Sequence, residues 1–155
     1  KEFMDTASGL AGHGLLMQIE KNSMELKMFG TELLLATVDS TLSEETDRLL
    51  NELKDEILEV STEVETSYQY EGGVTSDHPT VPESDLINQH RKSIGLLSKG
   101  RARLVVLEPE LHDRIPDAAA LGKIQDLFTA TQDRLGNLES ILKARIQNLE
   151  GSEER

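Results

Sequence analysis

DAAALGKIQDLFTATQDRLGNLESILKARIQNL, residues 117–149, is the stretch whose reading decides the fold class. Within it Leu121, Ile124, Phe128, Leu135, Leu138, Leu142 and Leu149 follow steps that alternate between three and four, with Thr131 and Arg145 as interruptions of the seam. Leu127, Ile141 and Ile146 widen that seam into a stripe. An α-helix turns once in 3.6 residues, so such a stripe lies along one side of a long helix and must be buried against other helices. Asp117 follows Pro116 and precedes Ala118-Ala119-Ala120, the position from which a carboxylate accepts hydrogen bonds from the first free backbone N–H groups. Gly151 and the polar tail after it predict the end of the helix.

Upstream, Ser84 is the expected cap of a helix carrying Leu86, Ile87, Ile94, Leu97, Leu104 and Leu107, with Pro109 expected to kink or end it. Residues 110–115 are then a short turn. Further upstream, Thr41-Leu42-Ser43-Glu44 fits a capping box, and Leu50, Leu53, Ile57, Val60 and Val64 mark the buried face of an acidic helix that runs to about Tyr70. Gly72-Gly73 predicts its stop, and the prolines and glycines of 72–84 predict a loop. The first helix, within 8–37, carries apolar residues over more than half its circumference, which predicts packing on two sides. Gly9, Gly12 and Gly14 predict an irregular start before Leu15.

Four helices joined by a short, a long and a short connection predict an all-α chain: an antiparallel four-helix bundle built from two helical hairpins, in one domain spanning 1–155. The hairpins are 8–71 and 85–150, with the loop 72–84 between them. Hydrophobic residues make up 37% and aromatics 3%, so Leu, Ile, Val and Met must fill the core, and a β-sandwich is disfavoured. The net charge of −13 and pI of about 4.7 oppose binding to phosphate backbones, which excludes a general nucleic-acid role. No cysteine is present, so disulfides and thiolate metal sites are excluded, and no apolar run reaches the roughly 20 residues of a membrane span.

Chemistry-bearing motifs are few. Glu110-Leu111-His112-Asp113 resembles the phosphoacceptor box of two-component histidine kinases, in which a histidine oriented by the neighbouring acid attacks a phosphoryl group. The resemblance implies His112 as phosphoacceptor and Asp113 as its orienter. Pro109 and Pro116 bracket the string, so it also reads as a solvated turn. His90-Arg91-Lys92-Ser93 is superficially similar to a phosphotransfer helix, with the lysine and glycine at other spacings. Leu107-Glu108-Pro109-Glu110 and Asp113-Arg114-Ile115-Pro116-Asp117-Ala118 together resemble a segment in the smallest coiled-coil subunit of the dynactin shoulder. That likeness covers about a dozen residues with a gap, and no functional expectation is taken from it. His13, His78, His90 and His112 lie in separate segments without the paired spacing of a metal site, so no metal and no cofactor are expected. Catalytic serine motifs and phosphate-cradling glycine loops are absent, which argues against an enzyme.

Two groups of residues are candidates for contact with a partner. Met17, Met24 and Met28 share one side of the first helix; core packing explains them by default, and an adaptable binding surface is the functional reading. Arg91, Lys92, Lys99, Arg101 and Arg103 could receive an acidic partner or phospholipid headgroups. The leading expectation is a non-enzymatic interaction or scaffold module that binds a protein partner, or a second copy, through apolar helix faces. The alternative is a ligand-sensing extracytoplasmic domain of a bacterial membrane receptor, which requires a small-molecule pocket between helices. Phosphotransfer through His112 is a third. A cytoplasmic location is preferred over that of a sensor fragment, with no residue signal that assigns either.

Overall fold

The computed structural model describes the backbone of residues 2–75 and 80–153, and the side chains of 14–74 and 80–151. The chain is all-α: the described elements are α1 (Glu2–Lys27), α2 (Phe29–Thr37), α3 (Glu44–Thr75), α4 (Glu83–Arg114) and α5 (Ala118–Glu153). Helix α3 packs on α1 and α4, α4 packs on α5, and α5 returns to α1 and α2, which is the contact pattern of a bundle. Every seam residue of α5 from Ile124 to Leu142 is buried, as the periodicity of 117–149 requires. Thr131 stays in the core because its hydroxyl donates to the Leu127 carbonyl at 2.7 Å, so no polar group is left unpaired there.

Several boundaries differ from the sequence expectation, each for a local reason. The glycines before Leu15 do not delay α1, which is helical from Glu2; roughly 1 kcal/mol per glycine weakens a helix without ending it. The first helix is instead broken at Met28, whose N–H bonds to the Glu25 carbonyl three residues back, at 3.2 Å. The break sends Phe29 and Leu33 of α2 into the core, where the Phe29 and Phe128 rings lie 6.3 Å apart. Gly30 allows close approach to α3: a Cβ there would stand 2.9 Å from Lys54 Cγ. The cap of α3 is Ser43 rather than Thr41, with Ser43 Oγ accepting from the Thr46 N–H at 3.1 Å.

Gly72 and Gly73 are not a stop, since α3 runs through both to Thr75. Gly73 serves a close contact, because a Cβ at this position would meet Val81 Cγ2 at 2.6 Å, while none of the described residues lies near one at Gly72. Helix α4 starts at Glu83, before Ser84, and passes through Pro109 to Arg114, so 110–115 is not a separate turn. An interior proline costs roughly 3 kcal/mol. Burying Leu111 and Ile115 beyond it returns about 1.5–3 kcal/mol each, enough to hold the final turn in place. The helix ends where Pro116 forces Ile115 into an extended conformation, at φ −111° and ψ 104°. Asp117 does cap α5: its Oδ1 accepts from the N–H groups of Ala119 and Ala120, at 3.0 and 3.4 Å. Gly151 lies inside α5, which continues to Glu153.

Candidate protein-interaction face

Among the described residues, α1 and α2 are covered on the sides that face α3 and α5. Ile19, Leu26, Phe29 and Leu33 enter the core. The opposite side carries Met17, Met24 and Met28, each 54–58% exposed, together with Leu34, Leu35 and Val38, each 63–65% exposed. The methionines are therefore not core residues, and packing on two sides leaves this third side of α1 free. Met24 stands seven residues after Met17 and Leu35 seven after Met28, with the break in the helix lying at Met28. That spacing was visible in the sequence, but Leu33-Leu34-Leu35 offers three registers and only packing selects Leu33 as the buried one. The other large exposed apolar residues, Leu58, Val105 and Val106, lie on α3 and α4.

Open depressions lie between α1–α2 and α5, where Met17 and Leu35 of this set line them, while Met24 lines a groove against α3. One part, about 590 Å³, is flanked by Met17, Lys21 and Glu25 of α1 and by Asp133 and Arg134 of α5. The second, about 390 Å³, is flanked by Glu32 and Leu35 of α2 and by Lys123 and Asp126 of α5. Ala130 lines both parts. Arg134 is already neutralised by Glu25 at 2.8 Å.

The basic residues of α4 are divided between two neighbours. Arg91 and Arg101 pair with Glu150 and Glu139 of α5, while Lys92 and Arg103 pair with Glu63 and Glu56 of α3. Lys99 is exposed on the same helix. These residues thus join α4 to both flanking helices. His112 and Asp113 are exposed near the end of α4. His13 lies on α1 with its side chain outside the described set, and His78 lies outside the described residues altogether.

Sequence reasoning missed a buried polar layer between α3, α4 and α5. Glu71 and His90 are fully buried, and Glu71 Oε1 meets His90 Nε2 at 2.9 Å and accepts from Arg145 Nε at 2.7 Å. Burial works to raise the Glu71 pKa, but the hydrogen bonds and charges of His90 and Arg145 outweigh it and hold the carboxyl below its ordinary value. Beside it, Ser67 and Ser93 share a hydrogen bond of 2.6 Å, and Gln89 donates to the Glu63 carboxylate at 3.0 Å. The layer separates the main core from a smaller apolar cluster of Leu86, Ile87, Ile146 and Leu149. The sequence carried one trace of it, Arg145 interrupting the leucine seam. Glu71, His90, Ser67 and Ser93 are buried while Arg145 and Glu63 are partly exposed, and together these groups tie three helices to one another.

Among the described residues no group of His, Asp and Glu could hold a metal ion, and no helix is long and apolar enough to cross a membrane. No protein-family model, curated protein or solved structure matches the chain.

Proposed function

We propose that this chain is a non-enzymatic helical module that acts by protein–protein contact, with α1–α2 as its docking face. The arrangement we infer is an antiparallel four-helix bundle of two hairpins, α1–α2 with α3 and α4 with α5. Cross-pairs whose numbers run in opposite directions support it: Glu45 with Arg114 and Glu71 with His90 between α3 and α4. Between α4 and α5, Arg91 with Glu150 and Arg101 with Glu139 do the same. The observation that carries the function is the set of Met17, Met24, Met28, Leu34, Leu35 and Val38, all more than half exposed on α1–α2. Apolar residues concentrated in this way on a small helical protein mark a contact surface, and methionine adapts its shape to a partner. The ligand-sensor reading is less well supported, because the cleft beside α1 is open along its length rather than closed around a small molecule.

The test is photo-cross-linking in the producing cells from a reactive residue placed at position 24. A discrete heavier product is expected, lost on Leu35→Lys and absent when the reactive residue replaces the exposed Glu59 of α3. The same product from both positions, or none from position 24, overturns the proposal. Leu35→Lys is expected to change stability by no more than about 0.5 kcal/mol, as for a surface site.

A further inference from the structure

We infer that α1–α2 is a strap that opens as one unit, hinged at the turn 38–43, while α3, α4 and α5 stay packed on one another. The opening needs no partner on the exposed side of α1–α2. Among the described residues, the strap buries Ile19, Asn22, Ser23 and Leu26 and, past the break at Met28, Phe29 and Leu33. Two of these six, adjacent in the chain, are polar. Asn22 donates to the Gln18 carbonyl of its own helix at 2.8 Å, so that bond survives when α1 moves away. Ser23 and Ser61 of α3 each donate a hydroxyl to the other's carbonyl, at 3.5 and 3.2 Å. Water replaces bonds of this kind at little net cost, whereas apolar side chains in the same place would resist separation.

The other contacts of the strap are of a similar kind. Lys27 pairs with Glu65, and Tyr68 donates to Glu20 at 3.2 Å, all at exposed or partly exposed positions. On the α5 side Arg134 gives its Nε to Glu25 at 2.8 Å, but its Nη1 is buried with no partner among the described residues, and opening returns it to water. Depressions of about 590 and 390 Å³ lie between α1–α2 and α5, and one of about 370 Å³ lies between α1 and α3, so both edges of the strap are already open to solvent. Helices α3, α4 and α5 instead hold one another through Glu71, His90 and Arg145 and through the cluster of Leu86, Ile87, Ile146 and Leu149. At the hinge, Ser40 donates to the Asp117 carboxylate at 3.0 Å, which keeps the turn on α5 while the strap swings. Phe29 then leaves Phe128, which is fully buried in the closed form. The strap thereby controls access to an apolar site on α5.

The test is hydrogen exchange of the native full chain, followed residue by residue by NMR at several urea concentrations below the unfolding transition. The amides of 19–37 are expected to exchange at least about tenfold faster than the slowest of α4 and α5, and to converge on one opening with its own urea dependence. Ile87→Val lies in a cluster to which no described residue of α1–α2 belongs. It is expected to speed the slowest amides of α4 and α5 by roughly two- to tenfold and to leave those of 19–37 unchanged. Phe29→Leu is expected to speed both sets by one factor, because global unfolding also breaks the contacts of the strap.

If Ile87→Val speeds both sets alike, the strap leaves only with the whole fold and the inference fails. Equal protection of the two sets in the native chain has the same meaning. Exchange over 19–37 that differs from residue to residue and ignores urea is fraying rather than the opening of a unit, and also overturns it.

Discussion

Glu71 shows how a single residue can couple three helices. Its carboxylate is the common acceptor for His90 of α4 and Arg145 of α5; Glu71 and His90 are fully buried and Arg145 is partly so. Removing it leaves a buried imidazole and a partly buried guanidinium without their acceptor, so Glu71→Ala is expected to lower stability by about 3 kcal/mol in urea unfolding. The pH dependence follows from the depressed pKa. A carboxyl held below its ordinary value in the folded state contributes stability that is present above the unfolded value, about 4.3, and is lost as pH falls through the folded one. The urea midpoint of the native chain is therefore expected to fall more steeply below about pH 4.3 than that of Glu71→Gln, which has no proton to take up there. Parallel profiles would show that the Glu71 charge contributes nothing to folding. Asp117 has the same sign, its carboxyl lowered by hydrogen bonds from Ser40 and from the N–H groups of Ala120 and Ala119.

At the level of the element, the end of α3 separates propensity from packing. Gly72 and Gly73 are adjacent, both helical, and equally poor helix formers. Alanine at 72 meets no atom among the described residues and is expected to stabilise the protein by about 0.5–1 kcal/mol. Alanine at 73 gains the same propensity but drives its Cβ against Val81, whose preceding residue Thr80 donates its N–H to the Gly73 carbonyl at 3.1 Å. Gly73→Ala is thus expected to stabilise less than Gly72→Ala or to destabilise. Equal shifts in the thermal midpoint would show that the chain around Val81 moves aside without penalty. Pro109 makes a related point in α4: burial of Leu111 and Ile115 overrides a residue that breaks helices in isolation.

Over the whole molecule, excess negative charge works against compactness. Cross-helix pairs such as Arg103 with Glu56 and Arg114 with Glu45 are partly exposed and contribute about 0–1 kcal/mol each, whereas the unbalanced charge of −13 repels throughout. Raising salt from about 0.01 M to about 0.15 M shortens the Debye length from about 30 Å to about 8 Å, which weakens both effects. The repulsion is the larger, so the thermal midpoint is expected to rise with salt. A falling midpoint would mean that the ion pairs dominate.

What the sequence by itself determined is what depends on near neighbours along the chain. The stripe of 117–149, the buried face of α3 and the Asp117 cap follow from spacings of three or four residues and from the chemistry of one side chain. The all-α class follows from them. The tertiary structure decided which of several apolar faces is covered. Leu33 lies inside while Leu34 and Leu35 lie outside, and Met17, Met24 and Met28 form a surface rather than a core. It also decided that Gly73 and Pro109 remain helical, and it assembled Glu71, His90 and Arg145 from three helices. Burial is a property of what lies opposite a residue, and in this chain the opposite partner is 19 residues away for Glu71 and His90 and 109 for Glu25 and Arg134. Local periodicity identifies a face that can be buried; only packing chooses between two that can.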